Sequence, residues 1–335
     1  MNNTVGWIRL GGSFLLLLLV SAAVFAQTSQ QDIKLNAYHH FALRVSDLDR
    51  SERFYSDLFG VEPARVANNA VFALGDDSQH FTLMPLGPGE VPGIAWIGLS
   101  VENFDIDALE AYFLSRGYSS SEALAVGGDA LERARHFWLT EVAGETAFFF
   151  ADAEGIAYRL MSIDDCGSCG RAKNAAGIFS AQGINHFTNF VANSARSNAQ
   201  MQALFGLGIL AYQGPTSPTL SIGDGLQFLM YVGGRDEAPP STAGRTDHVS
   251  LSVTGFDVEA MRRQLTEYGL RAVEGQRPPK PLTHWVSLRM PNRGGAEGGT
   301  PELYFADPDG IAIQVQDPSY CGGGGYLGDQ CKELN

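Results

Sequence analysis

Two histidines stand at equivalent points of two short alternating segments of this 335-residue chain. His186 opens "HFTNFV", and His248 opens "HVSLSV" 62 residues later. Because strand side chains alternate between two faces, each histidine shares a face with polar residues, Thr188 in one segment and Ser250 and Ser252 in the other. The opposite faces are apolar and suit a covering helix. The alternation therefore places both imidazoles in a polar cleft, although a lone strand histidine is more often a core residue than a ligand.

Two glutamines extend this polar face. Gln227 alternates with Phe228 in "LQFLMYV", and Gln314 alternates with Ile313 in "IAIQVQ". Two imidazoles and an oxygen donor suit a divalent first-row metal. An amide brings no negative charge, however, so it would hold the metal more weakly, and it cannot act as a general base. A site that has lost its metal is the alternative.

The chain is built from copies of one unit. "HFALRVSDLDRSERFYSDLFG" from His40 matches "HFTNFVANSARSNAQMQALFG" from His186, and "FADAEGIAYRL" from Phe150 matches "FADPDGIAIQV" from Phe305. Each half also repeats internally, and each quarter is typical of a strand, a helix and two or three more strands. We therefore predict an α+β fold of two tandem domains, each with two βαβββ units forming an open, barrel-like sheet around a cleft.

These repeats resemble the vicinal oxygen chelate superfamily, which includes glyoxalase I, bleomycin-resistance proteins, methylmalonyl-CoA epimerase and the type I extradiol dioxygenases. The resemblance covers the chain from Ala37 to Pro318. "LYFADPDGIAIQ", from Leu303, is similar to the extradiol signature except at its last residue, where an acidic ligand would stand. The resemblance implies one divalent metal in a cleft, with Fe favoured and Mn, Zn, Co or Ni as alternatives. Four-unit chains with the metal in the second domain are the extradiol arrangement.

The resemblance also implies which positions bind the metal. In the second domain the four family positions match His186, Gln227, His248 and Gln314, of which the extradiol pattern uses the first, third and fourth. In the first domain they match His40, Phe81, Trp96 and Arg159. Two of these offer no ligand, and Arg159 would repel a cation. We therefore expect the first cleft to be filled and to bind no metal.

Extradiol chemistry also needs groups beside the metal that move protons. His284, in "HWVSLRM", and Tyr304 are the candidate catalytic residues. His284 is in phase with Val286 and Leu288, so a packed core position is an equal alternative for it.

One segment is unusually basic for this acidic chain. The stretch from Gly275 to Ala296 contains no acid and four basic residues, Arg277, Lys280, Arg289 and Arg293. By the family topology it lies beside the mouth of the second cleft. We predict that Arg289 and Arg293 bind an anionic substrate such as an aromatic carboxylate. A solvated loop is the alternative.

These observations favour a metal-dependent, extradiol-dioxygenase-like protein that binds a small, preferably anionic substrate. A metal-free small-molecule binder of the bleomycin-resistance type is one alternative. A glyoxalase-like lyase or isomerase is another, although it would need a carboxylate at the metal.

The N-terminus has the pattern of a secretory signal peptide over residues 1–26. A single positive charge, Arg9, precedes an apolar run from Phe14 and small residues that end at Ala26. We therefore expect a periplasmic or secreted protein, with an uncleaved anchor as the alternative. Without Arg9 the formal charge is 22 − 37 = −15, which argues against nucleic acid or an anionic membrane as a partner.

Four cysteines remain after the predicted cleavage. In an exported chain an even number indicates two disulfides, and we favour the local pairs Cys166–Cys169 and Cys321–Cys331 over redox or metal roles. The predicted boundaries are a first domain over 36–164, a linker with the CxxC over 165–182, a second domain over 183–318 and a Gly/Cys tail over 319–335.

Overall fold

The structure is a computed structural model that describes residues 1, 32–76, 78–122, 131–142, 144–165, 177–274 and 279–323. Most of the predicted signal peptide lies outside these residues, as do Cys166, Cys169, Arg277 and Cys331. Cys321 is fully buried and is not a free thiol, while the pairing of the cysteines stays a prediction. Within the described ranges, no helix has the length and apolarity needed to cross a membrane.

The described N-terminal half forms one nine-stranded sheet and two helices. The strands run in the order β2-β3-β4-β1-β5-β9-β8-β7-β6, with β1 parallel to β4 and antiparallel to β5. The elements are β1 (Leu35–Val45), α1 (Leu48–Phe59), β2 (Ala64–Val66), β3 (Asn69–Leu74), β4 (Gln79–Pro85), β5 (Gly93–Val101), α2 (Ile106–Ser115), β6 (Ser119–Ser120), β7 (His136–Val142), β8 (Glu145–Ala151) and β9 (Ala157–Ser162).

The described C-terminal half repeats this arrangement strand for strand. Its order is β11-β12-β13-β10-β14-β18-β17-β16-β15, so the predicted α+β fold of two tandem βαβββ pairs is confirmed. The elements are β10 (Ala181–Val191), α3 (Ser194–Phe205), β11 (Ile209–Tyr212), β12 (Pro218–Ser221), β13 (Phe228–Gly233), β14 (Arg245–Val253), α4 (Val258–Tyr268), β15 (Arg271–Ala272), β16 (Thr283–Arg289), a 3₁₀ turn (Pro291–Arg293), β17 (Thr300–Ala306) and β18 (Ala312–Gln316).

The helices that follow β1 and β10 begin and end in the same way. The Asp47 side chain accepts a hydrogen bond from the third residue after it, and Asn193 does the same at α3. Each helix ends at a glycine with positive φ, 60° at Gly60 and 64° at Gly206, where a side chain would be strained. The repeated "LFG" thus sets the same helix length in both halves.

The repeated "FAD" turns bind the opposite half of the molecule. Asp309 accepts hydrogen bonds from the Ser46 amide at 2.8 Å and from Arg50 at 2.7 Å, at the start of α1. Its counterpart Glu154 accepts a hydrogen bond from the Ala192 amide at 3.0 Å, just before α3. A carboxylate at a helix N-terminus also interacts favourably with the helix dipole. The turns therefore hold the two halves together by reciprocal contacts.

One hydrophobic core joins the two halves and includes the inner faces of the helices. The opposite face of the first sheet carries a separate cluster that contains Trp96, Trp138 and Phe149. Aromatic rings therefore fill much of that face. The corresponding face of the second sheet also carries aromatic clusters, with Phe228 and Tyr320 in one and Trp285 and Tyr304 in the other, and it adds a buried ion pair between Arg289 and Glu302.

Candidate metal centre

His186, His248 and Gln314, here called the C-terminal cluster, come together on three adjacent strands. β14 lies between β10 and β18, and its Ser250 is the register partner of both His186 and Gln314. The imidazole centroids are 5.6 Å apart. The three residues are 2%, 4% and 0% exposed, respectively. The structure thus places side by side the three residues that the extradiol pattern selects.

Each histidine of the cluster is oriented by the residue that precedes it. His186 Nδ1 lies 2.7 Å from Asn185 Oδ1, and His248 Nδ1 lies 2.9 Å from Asp247 Oδ2. Asn185 Nδ2 donates to the Tyr320 carbonyl, which fixes its Oδ1 toward the imidazole. Both Nδ1 atoms therefore carry the proton, and each Nε2 keeps a lone pair. Metal-binding histidines are held by outer partners in this way.

Strand irregularities make this orientation possible. The pairing of β10 with β14 skips Asn185 between Ile184 and His186, and it skips Asp247 between Thr246 and His248. A bulge places two consecutive residues opposite one partner and turns the extra side chain. Adjacent side chains, which would point to opposite faces in a regular strand, can then meet.

Several buried polar atoms in the cluster and on the adjacent Ser250 lack a hydrogen-bond partner among the described residues. They are His248 Nε2, Ser250 Oγ and both amide atoms of Gln314. Such atoms are rare in native proteins because each unmet group costs about 1–3 kcal/mol. A divalent cation would satisfy the imidazole lone pairs and the amide oxygen. The residues present therefore fit a metal ion.

Electrostatics keep His186 neutral, as a metal ligand must be. Burial lowers the pKa of His186 well below its ordinary value, and the charges of His248 and Arg289 lower it further. The neighbouring Gln314 side chain has the smallest of these effects, and it raises the pKa of His186. A neutral imidazole with a free lone pair is the form that binds metal ions.

Aromatic rings form the walls around the cluster. Phe228 stacks on His186 with centroids 4.2 Å apart, and Tyr304 stands edge-on to His248 at 5.2 Å. Tyr320 lies 5.7 Å from His186 and is fully buried, although it falls in the segment predicted as a Gly/Cys tail. The sequence offered no signal for this, because one tyrosine beside glycines is typical of a tail.

Arg289 belongs to a buried network beside the cluster. Its Nε donates to Glu302 Oε1 at 2.8 Å and to the Tyr320 hydroxyl at 2.9 Å. Burial alone would lower the pKa of Arg289, but Tyr320 and Glu302 raise it above its ordinary value. Arg293, by contrast, is exposed on the 3₁₀ turn. The predicted substrate-binding pair is therefore split between the cleft and the surface.

Gln227 does not face the cluster. Its Oε1 accepts a hydrogen bond from the Tyr38 amide at 2.9 Å, and its Nε2 donates to the Ile184 carbonyl at 2.7 Å. Gln79 makes the mirror-image pair with the same two residues. The two glutamines bridge the halves, and Phe228 is the residue paired with His186. Because both amide atoms of Gln227 make hydrogen bonds, its oxygen is not available to bind a metal.

His284 also lies away from the cluster. Its Nε2 is 2.9 Å from Thr266 Oγ1 on the covering helix α4. This is the packed position that its phase with Val286 indicated. Of the two predicted catalytic residues, the structure brings only Tyr304 to the cleft.

Three histidines of the first half, here called the N-terminal cluster, are also close together. One ring nitrogen from each of His39, His40 and His80 lies within 4.8 Å of the others, a spacing that could hold a metal ion. Sequence reasoning missed His80 because it assigned the family position to Phe81, which is buried in the core. Matching Gln79 to Gln227 would have matched His80 to Phe228, and these two residues are the register partners of His40 and His186.

Hydrogen bonds already engage the N-terminal cluster. Trp96 Nε1 can only donate, so His40 Nε2, 2.9 Å away, must be unprotonated. The proton of His40 is then on Nδ1, 3.0 Å from His39 Nδ1, and His39 Nε2 donates to the Asp165 carbonyl at 2.8 Å. Burial, and then the charges of His80 and Arg159, lower the pKa of His40. No lone pair of His39 or His40 remains for a metal.

A cavity of about 460 Å³ is lined by residues of both halves. Its walls include Arg44, Ala157, Arg245, Asp247 and Ala312. Asp247 is the carboxylate bound to His248, and Ala312 is the register partner of His248. The cavity is thus lined by two neighbours of His248, although none of the three cluster residues lines it.

Residues 37–160 match the model of the Glyoxalase/Bleomycin resistance protein/Dioxygenase superfamily. This part of the chain is therefore similar to that superfamily. The match lies within the N-terminal half, and the C-terminal half repeats its topology. The predicted resemblance is therefore confirmed. No functionally curated protein matches the chain significantly.

Several solved structures share the fold over most of this chain. A Mn(II)-bound glyoxalase from Novosphingobium aromaticivorans is 18% identical with a TM-score of 0.60, over 86% of both chains. The 2,3-dioxygenase LapB from Pseudomonas sp. KL28 is 15% identical with a TM-score of 0.58, over 90% of this chain and 94% of its own. Homoprotocatechuate 2,3-dioxygenase from Brevibacterium fuscum, in complex with 3,4-dihydroxyphenylacetate, is 16% identical with a TM-score of 0.58, over 86% and 83%. At these identities the similarity shows the fold alone.

Proposed function

We propose that this protein is an exported, extradiol-dioxygenase-like enzyme with one divalent metal in its C-terminal half. His186 Nε2, His248 Nε2 and Gln314 Oε1 hold the metal, manganese or iron. The observation that carries the proposal is the pair of oriented Nε2 lone pairs beside a buried Gln314 amide without partners. The two similar dioxygenases and the Mn(II)-bound glyoxalase are consistent with such chemistry.

The residues around the metal position suit a small aromatic substrate. A bound divalent metal would act as a Lewis acid on adjacent substrate oxygens. Phe228 and Tyr304 offer flat apolar surfaces to a ring, and the residues of the site are buried. The Tyr304 hydroxyl, 3.3 Å from Glu302 Oε2, is the group we assign to proton movement at the substrate.

A lyase or isomerase is less well supported by the cleft. Such reactions need a carboxylate base at the metal. Glu302 is engaged by Arg289, Tyr304 and Tyr320, and Asp247 lies behind His248. Neither carboxylate is a free base facing the metal position.

Metal content tests the proposal, and the duplicated chain supplies the control. We expect the purified protein to bind about one Mn²⁺ or Fe²⁺ per chain by titration calorimetry and elemental analysis. The His186→Ala/His248→Ala double variant should lose this binding, because amides alone cannot hold the ion against water. The matched His40→Ala/His80→Ala variant in the other half should retain it.

Two results would contradict this function. Metal retained by the His186→Ala/His248→Ala variant would place the site elsewhere. No metal affinity under any condition would favour the metal-free binding protein.

A further inference from the structure

The donor set of the C-terminal cluster is electrically neutral. Two imidazoles and one amide leave the two positive charges of the metal uncompensated in a buried site. Such a charge is costly unless it is paired. The nearest carboxylates do not pair with it, because Asp247 contacts His248 from behind and Glu302 is paired with Arg289. The metal and these side chains therefore lack a negative charge that would balance the metal.

Hydrogen-bond donors in the cleft also lack acceptors. Arg289 Nη1 and Gln314 Nε2 are buried without a partner among the described residues. Arg289 lies on the same face of β16 as Trp285, whose ring stacks on Tyr304 in the cleft. A metal ion can satisfy lone pairs but not N–H donors. The same cleft thus lacks both a cation for its acceptors and an anion for its donors.

We propose that the C-terminal cluster binds its metal only together with a small oxygen anion, such as a carboxylate. The anion supplies the negative charge that Gln314 does not, and it accepts hydrogen bonds from Arg289 and Gln314. Metal and anion therefore bind cooperatively, and the anion is a substrate or an inorganic ion of the same chemistry. This proposal rests on the proposed function and adds the ligand class of its site.

Titration of Mn²⁺ with and without added anion tests the proposal. We compare chloride buffer alone with the same buffer containing benzoate, bicarbonate or benzamide, the last a neutral analogue of benzoate. The wild-type protein should bind Mn²⁺ about tenfold or more tightly with an anion, because pairing the buried charge removes a large penalty. Benzamide should have no effect. An effect of benzoate alone would identify an organic carboxylate, and an effect of bicarbonate alone would identify an inorganic anion.

Gln314→Glu is the deciding variant, because it builds the missing charge into the protein. It should bind Mn²⁺ tightly in chloride buffer and show little further gain with benzoate. Arg293→Gln, at the exposed position, is the matched control and should behave as the wild type. Circular dichroism would verify that both variants are folded.

The outcomes separate this proposal from the proposed function. Equal Mn²⁺ affinity with and without anion in the wild type would overturn the cooperative site but leave the metal function intact. Anion dependence that persists in Gln314→Glu would also overturn it. If neither the wild type nor the Gln314→Glu variant bound Mn²⁺ with any of the anions, both proposals would be overturned.

Discussion

Asn185 and Asp247 decide which nitrogen of each histidine faces the C-terminal cleft. Both stand at irregular points of strand pairing, and both accept a hydrogen bond from the following histidine. The Asp247 carboxylate also makes His248 more electron-rich, which strengthens metal binding. These two residues are as much part of the site as the imidazoles.

Asp247→Asn should weaken Mn²⁺ binding about tenfold or more, as loss of a charged outer partner does at other metal sites. The fold should survive because the amide can still accept the Nδ1 proton. Calorimetry measures the affinity, and thermal unfolding checks the fold. Asp236→Asn, at an exposed position, serves as the control. Unchanged affinity would show that Asp247 does not orient His248 for a metal.

Strand alternation predicted that His186, His248 and Gln314 share one face, where the structure brings them together, but it failed at Gln227. The reason is physical: a register slip of one residue exchanges the two faces of a strand. Gln227 immediately precedes β13, and Phe228 occupies the position beside His186. The sequence also contained no signal for the bulges at Asn185 and Asp247, so the roles of these two residues could not be predicted.

The elements that unite the two halves are the repeated turns after β8 and β17. Asp307 accepts a hydrogen bond from Tyr55, and Asp152 accepts one from Tyr231, each from the opposite half. Burial raises the pKa of Asp152 to about 6 and that of Asp307 to about 7. The repeated turns were plain in the sequence, but the segments that they contact were not, because no local pattern records a contact between distant segments.

The raised pKa values predict that the folded state becomes less stable as pH rises from about 4 to 7. Over this range these two carboxyls bind more protons in the folded protein than in the unfolded chain, where they titrate near pH 4, so their contribution to stability falls as the pH rises. The Asp307→Asn variant should reduce the difference in the free energy of unfolding between pH 5 and 8 by an amount on the order of a few kcal/mol. Urea unfolding at both pH values measures it.

Asp317→Asn, at a partly exposed position, is the control and should unfold like the wild type at each pH. If Asp307→Asn also kept the wild-type difference between pH 5 and 8, Asp307 would not titrate in this range.

At the scale of the whole molecule, duplication produced two clefts with different chemistry. The constant spacing of "LFG", "FAD" and the histidine segments made the tandem fold predictable. The filling of the first cleft was also expected, from Trp96 and Arg159. What the sequence could not show is that His39, His40 and His80 gather there, and that His39 and His40 use their lone pairs in hydrogen bonds.

The most direct test of the account is to locate bound metal in a crystal. Crystals grown with Mn²⁺ and benzoate, with data recorded for anomalous scattering from manganese, would show the ion without assumptions about activity. The account predicts one strong peak per chain between His186, His248 and Gln314, and none at the N-terminal cluster. A peak among His39, His40 and His80, or no peak in either half, would contradict it.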